Sequence, residues 1–131
     1  MTPERIQILG SPVSAINMEQ ACASVMEALA AKQKGYVCFG GVQLLSEAYE
    51  HADYRELLER AFLVAPDGMP LVWLGRLQGR RHMDRVYGPD LMLRVCEQSV
   101  ACGFTHFLYG GNPNVADDLK AELERRFPGI R

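Results

Sequence analysis

The stretch "FLVAPDGMPLVW", Phe62 to Trp73, places an ionisable Asp67 between two apolar runs. Phe62, Leu63, Val64 and Ala65 read as a short buried strand, while Met69 through Leu77 carry apolar residues at helical spacing. Asp67 therefore stands where a strand ends and a helix begins. In open α/β sheets ligands bind at that place, because strand ends and helix N-termini converge on one crevice. A second reading is open at this point: Asp67 only caps the helix, with Pro70 in its first turn.

Working outward, the same strand-then-helix alternation repeats. Ile6 to Leu9 is a strand candidate, and "GSPVSAI" after it has the turn residues of a loop or small hairpin. Asn17 caps a helix from about Met18 to Lys32 that stops at Gly35. Tyr36 to Phe39 is a second strand, followed by helices at about Val42 to Tyr49 and Tyr54 to Arg60. Pro89 suits the first turn of a helix with Leu91, Met92, Val95 and Cys96 as its buried stripe, and Gly103 ends it. Phe104 to Tyr109 is a fourth strand, and Val115 to Phe127 an amphipathic helix. This order predicts an α/β fold, an open, mostly parallel Rossmann-like sheet flanked by helices, with right-handed crossovers and no internal repeat.

A chain of 131 residues that is 48% apolar and 23% charged can bury one core. Its formal net charge of −2 gives no global attraction to nucleic acid or anionic lipid, so no nucleic-acid partner is expected. Cys22, Cys38, Cys96 and Cys102 form no C-x-x-C pair and have no metal-ligand spacing; they read as reduced core thiols. No stretch reads as a membrane span or a signal peptide, which predicts a cytoplasmic protein.

Three strand ends carry turn chemistry: Phe39 to Gly41, Pro66 to Gly68 and Tyr109 to Gly111. Glycine there lets a backbone approach a ligand, and the helix starting near Asn114 aims free N–H groups at an anion; tight turns alone would also explain them. Neither "YGGNPN" nor "FGGVQL" matches the dinucleotide or Walker phosphate motif, which disfavours a nicotinamide or ATP site. Arg76, Arg80, Arg81 and Arg85, with Asp84 the one acid among them, form a local basic segment. Such arginines could hold a diphosphate, yet those near the end of the helix at Leu77 also complement its dipole, and we read Arg76, Arg80 and Arg81 as solvated. Arg85 differs because it precedes the rigid "VYGPDL" turn. His51 reads as solvated, His106 as structural within an apolar strand, and His82 as a minor candidate for contacting phosphate.

Together "VAPDGMPLVW", "RVYGPDLM" and "FLYGGNPNVADDLKAELERRFPGI" resemble one family over essentially the whole chain: the WecG/TagA/CpsF bacterial glycosyltransferases, glycosyltransferase family 26. The resemblance implies transfer, with inversion, of an N-acetylmannosamine-type sugar from UDP to a polyprenyl-diphosphate-linked N-acetylglucosamine, feeding teichoic acid, enterobacterial antigen or capsular polysaccharide synthesis. It implies that Asp67 is the catalytic base and Arg85 the motif arginine near the donor. Substrate contacts are expected at Gly40, Gly41 and Gln43, at Gly68, at Tyr87, Gly88 and Asp90, and at Gly110 and Gly111. It also implies work at the inner face of the cell membrane, with peripheral membrane contact, and a homo-oligomer.

Chemistry supports the two central roles. An inverting transfer needs a base for the acceptor hydroxyl, and cationic or N–H groups for charge developing on the diphosphate. Asp67 and Arg85 suit those tasks, no cofactor is implied, and the lack of a D-x-D element fits a metal-independent mechanism. Family members resemble one another in a "T-x-N-x-E" pattern where this chain has Phe39, Gly41 and Gln43, so the amide expected at the donor sugar is absent. The family's sequence also continues beyond residue 131, into more of the nucleotide fold and an appendage linked to membrane attachment. The chain therefore reads as the N-terminal portion of a single glycosyltransferase domain, with an unpaired strand edge expected near its end. Two rival readings remain: a non-catalytic remnant of the family, and a small α/β nucleotide-binding or regulatory domain.

Overall fold

In the computed structural model the described residues are 3–131. They form two compact units, one ending at Leu91 and one running from Met92 to Arg131.

The first unit opens with β1 (Arg5–Ile8) and β2 (Ser11–Ser14), paired antiparallel with Ile6 opposite Val13. Leu9 and Gly10 join them at φ of 51° and 76°. Two consecutive positive-φ residues make the tight turn whose twist suits a hairpin, although Leu is an unfavourable occupant. Asn17 then caps α1 (Met18–Ala30): its Oδ1 accepts from Gln20 N–H at 2.9 Å, and Gln20 Oε1 accepts from Asn17 N–H at 3.1 Å. The helix ends short of the expected Gly35, because Lys32 takes φ 56° and Gln33 N–H turns back to the Ala28 carbonyl.

Next come β3 (Val37–Gly40), α2 (Val42–Glu50), α3 (Ala52–Arg60), β4 (Leu63–Pro66), α4 (Met69–Leu77) and α5 (Gly88–Cys102), whose first turn belongs to this unit. Strands β3 and β4 pair in parallel from Val37 opposite Leu63 to Gly40 opposite Pro66. Every residue of β2 and β4 is buried. Around them Ile6, Ile8, Val13, Leu45, Leu58, Leu71, Val72 and Met83 close the core. Helices α2 and α3 pack on β2, and α4 packs on β1 and β4. Where a ladder bond between β2 and β4 would lie, Val64 N–H donates instead to the buried Ser14 hydroxyl at 2.9 Å. Arg5 closes the far end of α3, donating to the carbonyls of Glu59 at 3.0 Å, Leu58 at 3.4 Å, Phe62 at 3.3 Å and, at its shortest, Ala61. A cation there compensates the free carbonyls and dipole of the last turn.

The expected open, mostly parallel sheet is thus not what the described residues form: they give a mixed α/β structure with two sheets of two strands each. The reason is local. The turn after Ile8 sends the chain straight back, so β1 is paired by β2 and not by a strand arriving through a crossover.

The second unit holds the rest of α5, an extended segment and α6 (Val115–Arg126). Phe104 to Tyr109, expected as a strand, has no strand pairing; its His106 N–H donates to the Arg131 carbonyl at 2.9 Å. Aromatic and β-branched residues favour extension, but a strand also needs a neighbour to take its hydrogen bonds. Phe107 and Tyr109 are 89% and 94% exposed. His106 has the structural role expected of it: Nε2 lies 2.7 Å from the buried Ser99 hydroxyl, which itself donates to the Cys96 carbonyl at 2.7 Å. A hydroxyl has one proton, so Ser99 accepts from the imidazole.

Among the described residues no cysteine forms a disulfide; Cys22 and Cys96 are buried and Cys38 half-buried, but Cys102 is exposed and so is not the core thiol expected of it. Burial pushes the thiols of Cys38 and Cys96 up, opposed at Cys38 by the nearby Arg5 charge. Among the described residues no helix is long and apolar enough to cross a membrane.

Candidate functional site at the ends of the parallel strands

The carboxyl ends of β3 and β4 open onto the N-termini of α2, α4 and α5. Asp67 follows β4 directly, and its N–H continues the ladder to the Gly40 carbonyl at 3.0 Å. Gly41 is the N-cap of α2 and Gly68 that of α4, and neither helix has a side-chain capping bond. Asp67 is therefore not the helix cap. The two glycines lie side by side: a Cβ on Gly68 would rest 3.6 Å from Gly41 Cα, an ordinary contact, and one on Gly41 would meet nothing within 4 Å. Their juxtaposition leaves the first-turn N–H groups of both helices without side-chain partners, a setting that attracts anions.

The Asp67 side chain is 28% exposed, yet its Oδ1 is shielded from solvent and accepts no hydrogen bond from the described residues. Its nearest cation is Arg85, whose Nε lies 3.5 Å from Oδ1 and donates to the Asp67 backbone carbonyl at 3.1 Å. Arg85 is held from three sides. Val86 N–H donates to the Pro66 carbonyl at 2.8 Å, tying the segment to β4; Arg85 N–H donates to Asp84 Oδ1 at 2.8 Å; and the guanidinium lies 4.7 Å from the centre of the Tyr87 ring. With Nε engaged, the terminal nitrogens of the half-exposed fork remain available for a bidentate anion.

Gly88 starts α5 under the Phe39 ring, three of whose atoms would lie 3.6–3.7 Å from a Cβ placed there. Gln43 and Asp90 stand exposed in the first turns of α2 and α5. The first unit alone thus brings Asp67 and Arg85 together, with Gly40, Gly41, Gly68, Tyr87 and Gly88 around the same strand ends. Gly110 and Gly111 belong to the second unit, where they lead into α6 at φ of 109° and 79°.

Of the other basic residues of this segment, Arg76, Arg80 and His82 have partners within the fold. Arg76 donates to the Met83 carbonyl at 3.0 Å and lies 3.6 Å from Asp84; Arg80 pairs with Glu4; Arg81 is exposed. His82 Nε2 lies 2.7 Å from the Ala15 carbonyl, a contact that serves the fold and not a phosphate. The platform under Arg85 was the residue role that sequence reasoning missed. The signal existed: in an extended segment, Tyr87 is two residues from Arg85 and so on its side of the chain. Among the described residues no group of three or more His, Cys, Asp or Glu side chains could hold a metal ion.

Residues 6–131 match the glycosyl transferase WecG/TagA/CpsF family. A Bacillus spizizenii protein named N-acetylglucosaminyldiphosphoundecaprenol N-acetyl-beta-D-mannosaminyltransferase is 29% identical over 84 residues, which are 64% of this chain and 33% of that protein. A protein of the same name from Bacillus subtilis strain 168 is 25% identical over 84 residues, with the same shares. The chain spans about a third of the length of the curated relatives it matches.

Proposed function

Because the chain belongs to the WecG/TagA/CpsF glycosyl transferase family, we propose that its strand-end crevice serves an inverting, metal-independent sugar transfer. The donor is a UDP-linked, N-acetylmannosamine-type sugar, and the acceptor an N-acetylglucosamine on a polyprenyl diphosphate. The relatives' name supplies the sugar and the acceptor. One observation carries the reading: a carboxylate oxygen shielded from solvent, without a hydrogen bond, beside an arginine fork at the converging helix N-termini.

In this scheme Asp67 removes the proton from the acceptor hydroxyl as its oxygen attacks the anomeric carbon. The bond from that carbon to the donor phosphate oxygen breaks on the opposite face, and UDP departs with the electron pair. Arg85 and the first-turn N–H groups of α2 and α4 take up the developing diphosphate charge. Gly40, Gly41 and Gly68 allow the donor to approach the backbone, and Gln43, Tyr87, Gly88 and Asp90 border it. Gly110 and Gly111 supply a second anion-binding turn. We also read residues 1–131 as the N-terminal portion of one glycosyltransferase domain, in which β3 and β4 belong to an open Rossmann-like sheet. A cytoplasmic homo-oligomer working at the inner membrane face completes the reading.

The test is UDP release from UDP-N-acetylmannosamine in the presence of a prenyl-diphosphate-linked N-acetylglucosamine. Asp67→Asn should keep the circular dichroism of the parent and lower turnover about 100-fold to 10,000-fold. Arg85→Lys, which keeps charge but loses the fork, should impair turnover or donor affinity more than Arg81→Lys. Unchanged turnover in Asp67→Asn would remove the base role. UDP binding without transfer in the unaltered protein would favour the non-catalytic reading.

A further inference from the structure

Helix α4 buries Leu71, Val72 and Gly75 against the core. Its opposite face exposes Pro70, Trp73, Leu74 and Leu77, at positions i, i+3, i+4 and i+7. Trp73 is 57% exposed, Leu74 44% and Leu77 83%. A helix whose outward stripe is apolar inverts the usual pattern of a surface helix, and a contiguous exposed apolar stripe marks an interaction surface. Arginines flank the C-terminal end of the stripe: Arg76 within the helix, and Arg80 and Arg81 just after it. The pairs Arg76–Asp84 and Arg80–Glu4 are solvent-exposed ion pairs, which contribute little and can exchange partners, and Arg81 is exposed.

We infer that the outer face of α4 docks on an anionic lipid surface. The observations favour lipid because Trp and Leu side chains beside guanidinium groups match the acyl boundary and the phosphate layer together. Helix α4 then lies in the interface plane, with Trp73, Leu74 and Leu77 in the acyl boundary and the arginines among the phosphates. The helix is nine residues long, about 13 Å at 1.5 Å per residue. Asp67 precedes its first turn, so docking holds the crevice at headgroup level, where the diphosphate of a lipid-linked acceptor resides. The inference deepens the proposed reading of that acceptor, but its test does not depend on transfer.

Trp73 is the chain's only tryptophan, so its fluorescence reports this face directly. The full chain is titrated with vesicles of phosphatidylglycerol and phosphatidylcholine, and with phosphatidylcholine alone, with co-sedimentation as the second readout. A blue shift and co-sedimentation with the anionic vesicles, weakened by salt, are expected. Leu77→Gln should lower vesicle affinity roughly tenfold, and Arg81→Ala about fivefold on anionic vesicles. Leu57→Gln, at a half-exposed site on α3, should leave it unchanged. Asp67→Asn should bind vesicles as the parent does, so failure of docking and failure of the transfer reading are separable. No shift at millimolar anionic lipid would overturn the inference, as would equal weakening by Leu57→Gln and Leu77→Gln. A concentration-dependent shift without lipid, with dimers in sedimentation equilibrium, would also overturn it by assigning the face to a second copy of the chain.

Discussion

Gly75 sits within α4 with its backbone against the core. A Cβ there would fall 2.8 Å from Met83 Cε and 3.2 Å from Ile6 Cδ1, and closer still to the Met83 sulfur. In an exposed helix, Gly→Ala stabilises by about 1 kcal/mol through propensity. Here the thioether must retreat by roughly 1.5 Å to reach ordinary contact distance, and Met83 is fully buried with no solvent to retreat into. Overpacking of this kind costs about 1–3 kcal/mol. Gly75→Ala should therefore be destabilising, by about 1 kcal/mol once the propensity gain is offset. Met83→Ala alone opens a cavity at a cost of about 2–5 kcal/mol. In the double variant the new methyl occupies part of that cavity, so the pair should cost at least about 1 kcal/mol less than the two single costs combined. Urea unfolding followed by far-ultraviolet circular dichroism measures all four corners of the cycle. A Gly75→Ala protein more stable by the full propensity gain, with an additive double variant, would refute the close packing of Met83 on α4.

Other substitutions read the remaining contacts. Ser14→Ala should cost about 1–3 kcal/mol because it orphans the buried Val64 N–H, whereas Ser11→Ala should be neutral or stabilising, since the buried Ser11 hydroxyl has no partner among the described residues; equal effects in urea melts would count against the β2–β4 link. Arg5→Met keeps the apolar stem but removes the bonds to the end of α3, and should cost about 2–3 kcal/mol with faster amide exchange in that helix's last turn. On the alkaline side, Cys38 and Cys96 keep their protons more tightly when folded than when unfolded. Their contribution is complete below the ordinary thiol value of about 8.5 and is lost as pH rises through the higher folded values. Stability should fall above that pH, less steeply in Cys96→Ala.

What could be read from the sequence was local. The switch from the apolar run at Leu63–Ala65 to helical spacing after Met69 placed Asp67 at a strand–helix junction, and Asn17 announced a helix start. What could not be read depends on residues far apart along the chain. Phe104 to Tyr109 has the aromatic and apolar residues of a strand, but nothing in those residues says whether a partner strand lies alongside. The hairpin turn uses Leu9 at positive φ, a residue that advertises no turn. Arg5 reads as an ordinary polar residue of the N-terminus, although it closes a helix more than fifty residues later. The pairing of Arg85 with Asp67 spans 18 residues and required Val86 to lie along β4.

The bond from Val64 to Ser14, 50 residues apart, also sets a timetable for the nascent chain. Chain synthesis adds about 5–20 residues per second, so the β1–β2 hairpin emerges several seconds before β4 can cover it. During that interval Ile6, Ile8 and Val13 belong to a lone two-stranded ribbon, marginal in water. The first unit should therefore consolidate late, in one step, as β4 leaves the ribosome, and a pause in translation before residue 63 would lengthen the period in which chaperones find an uncovered hairpin.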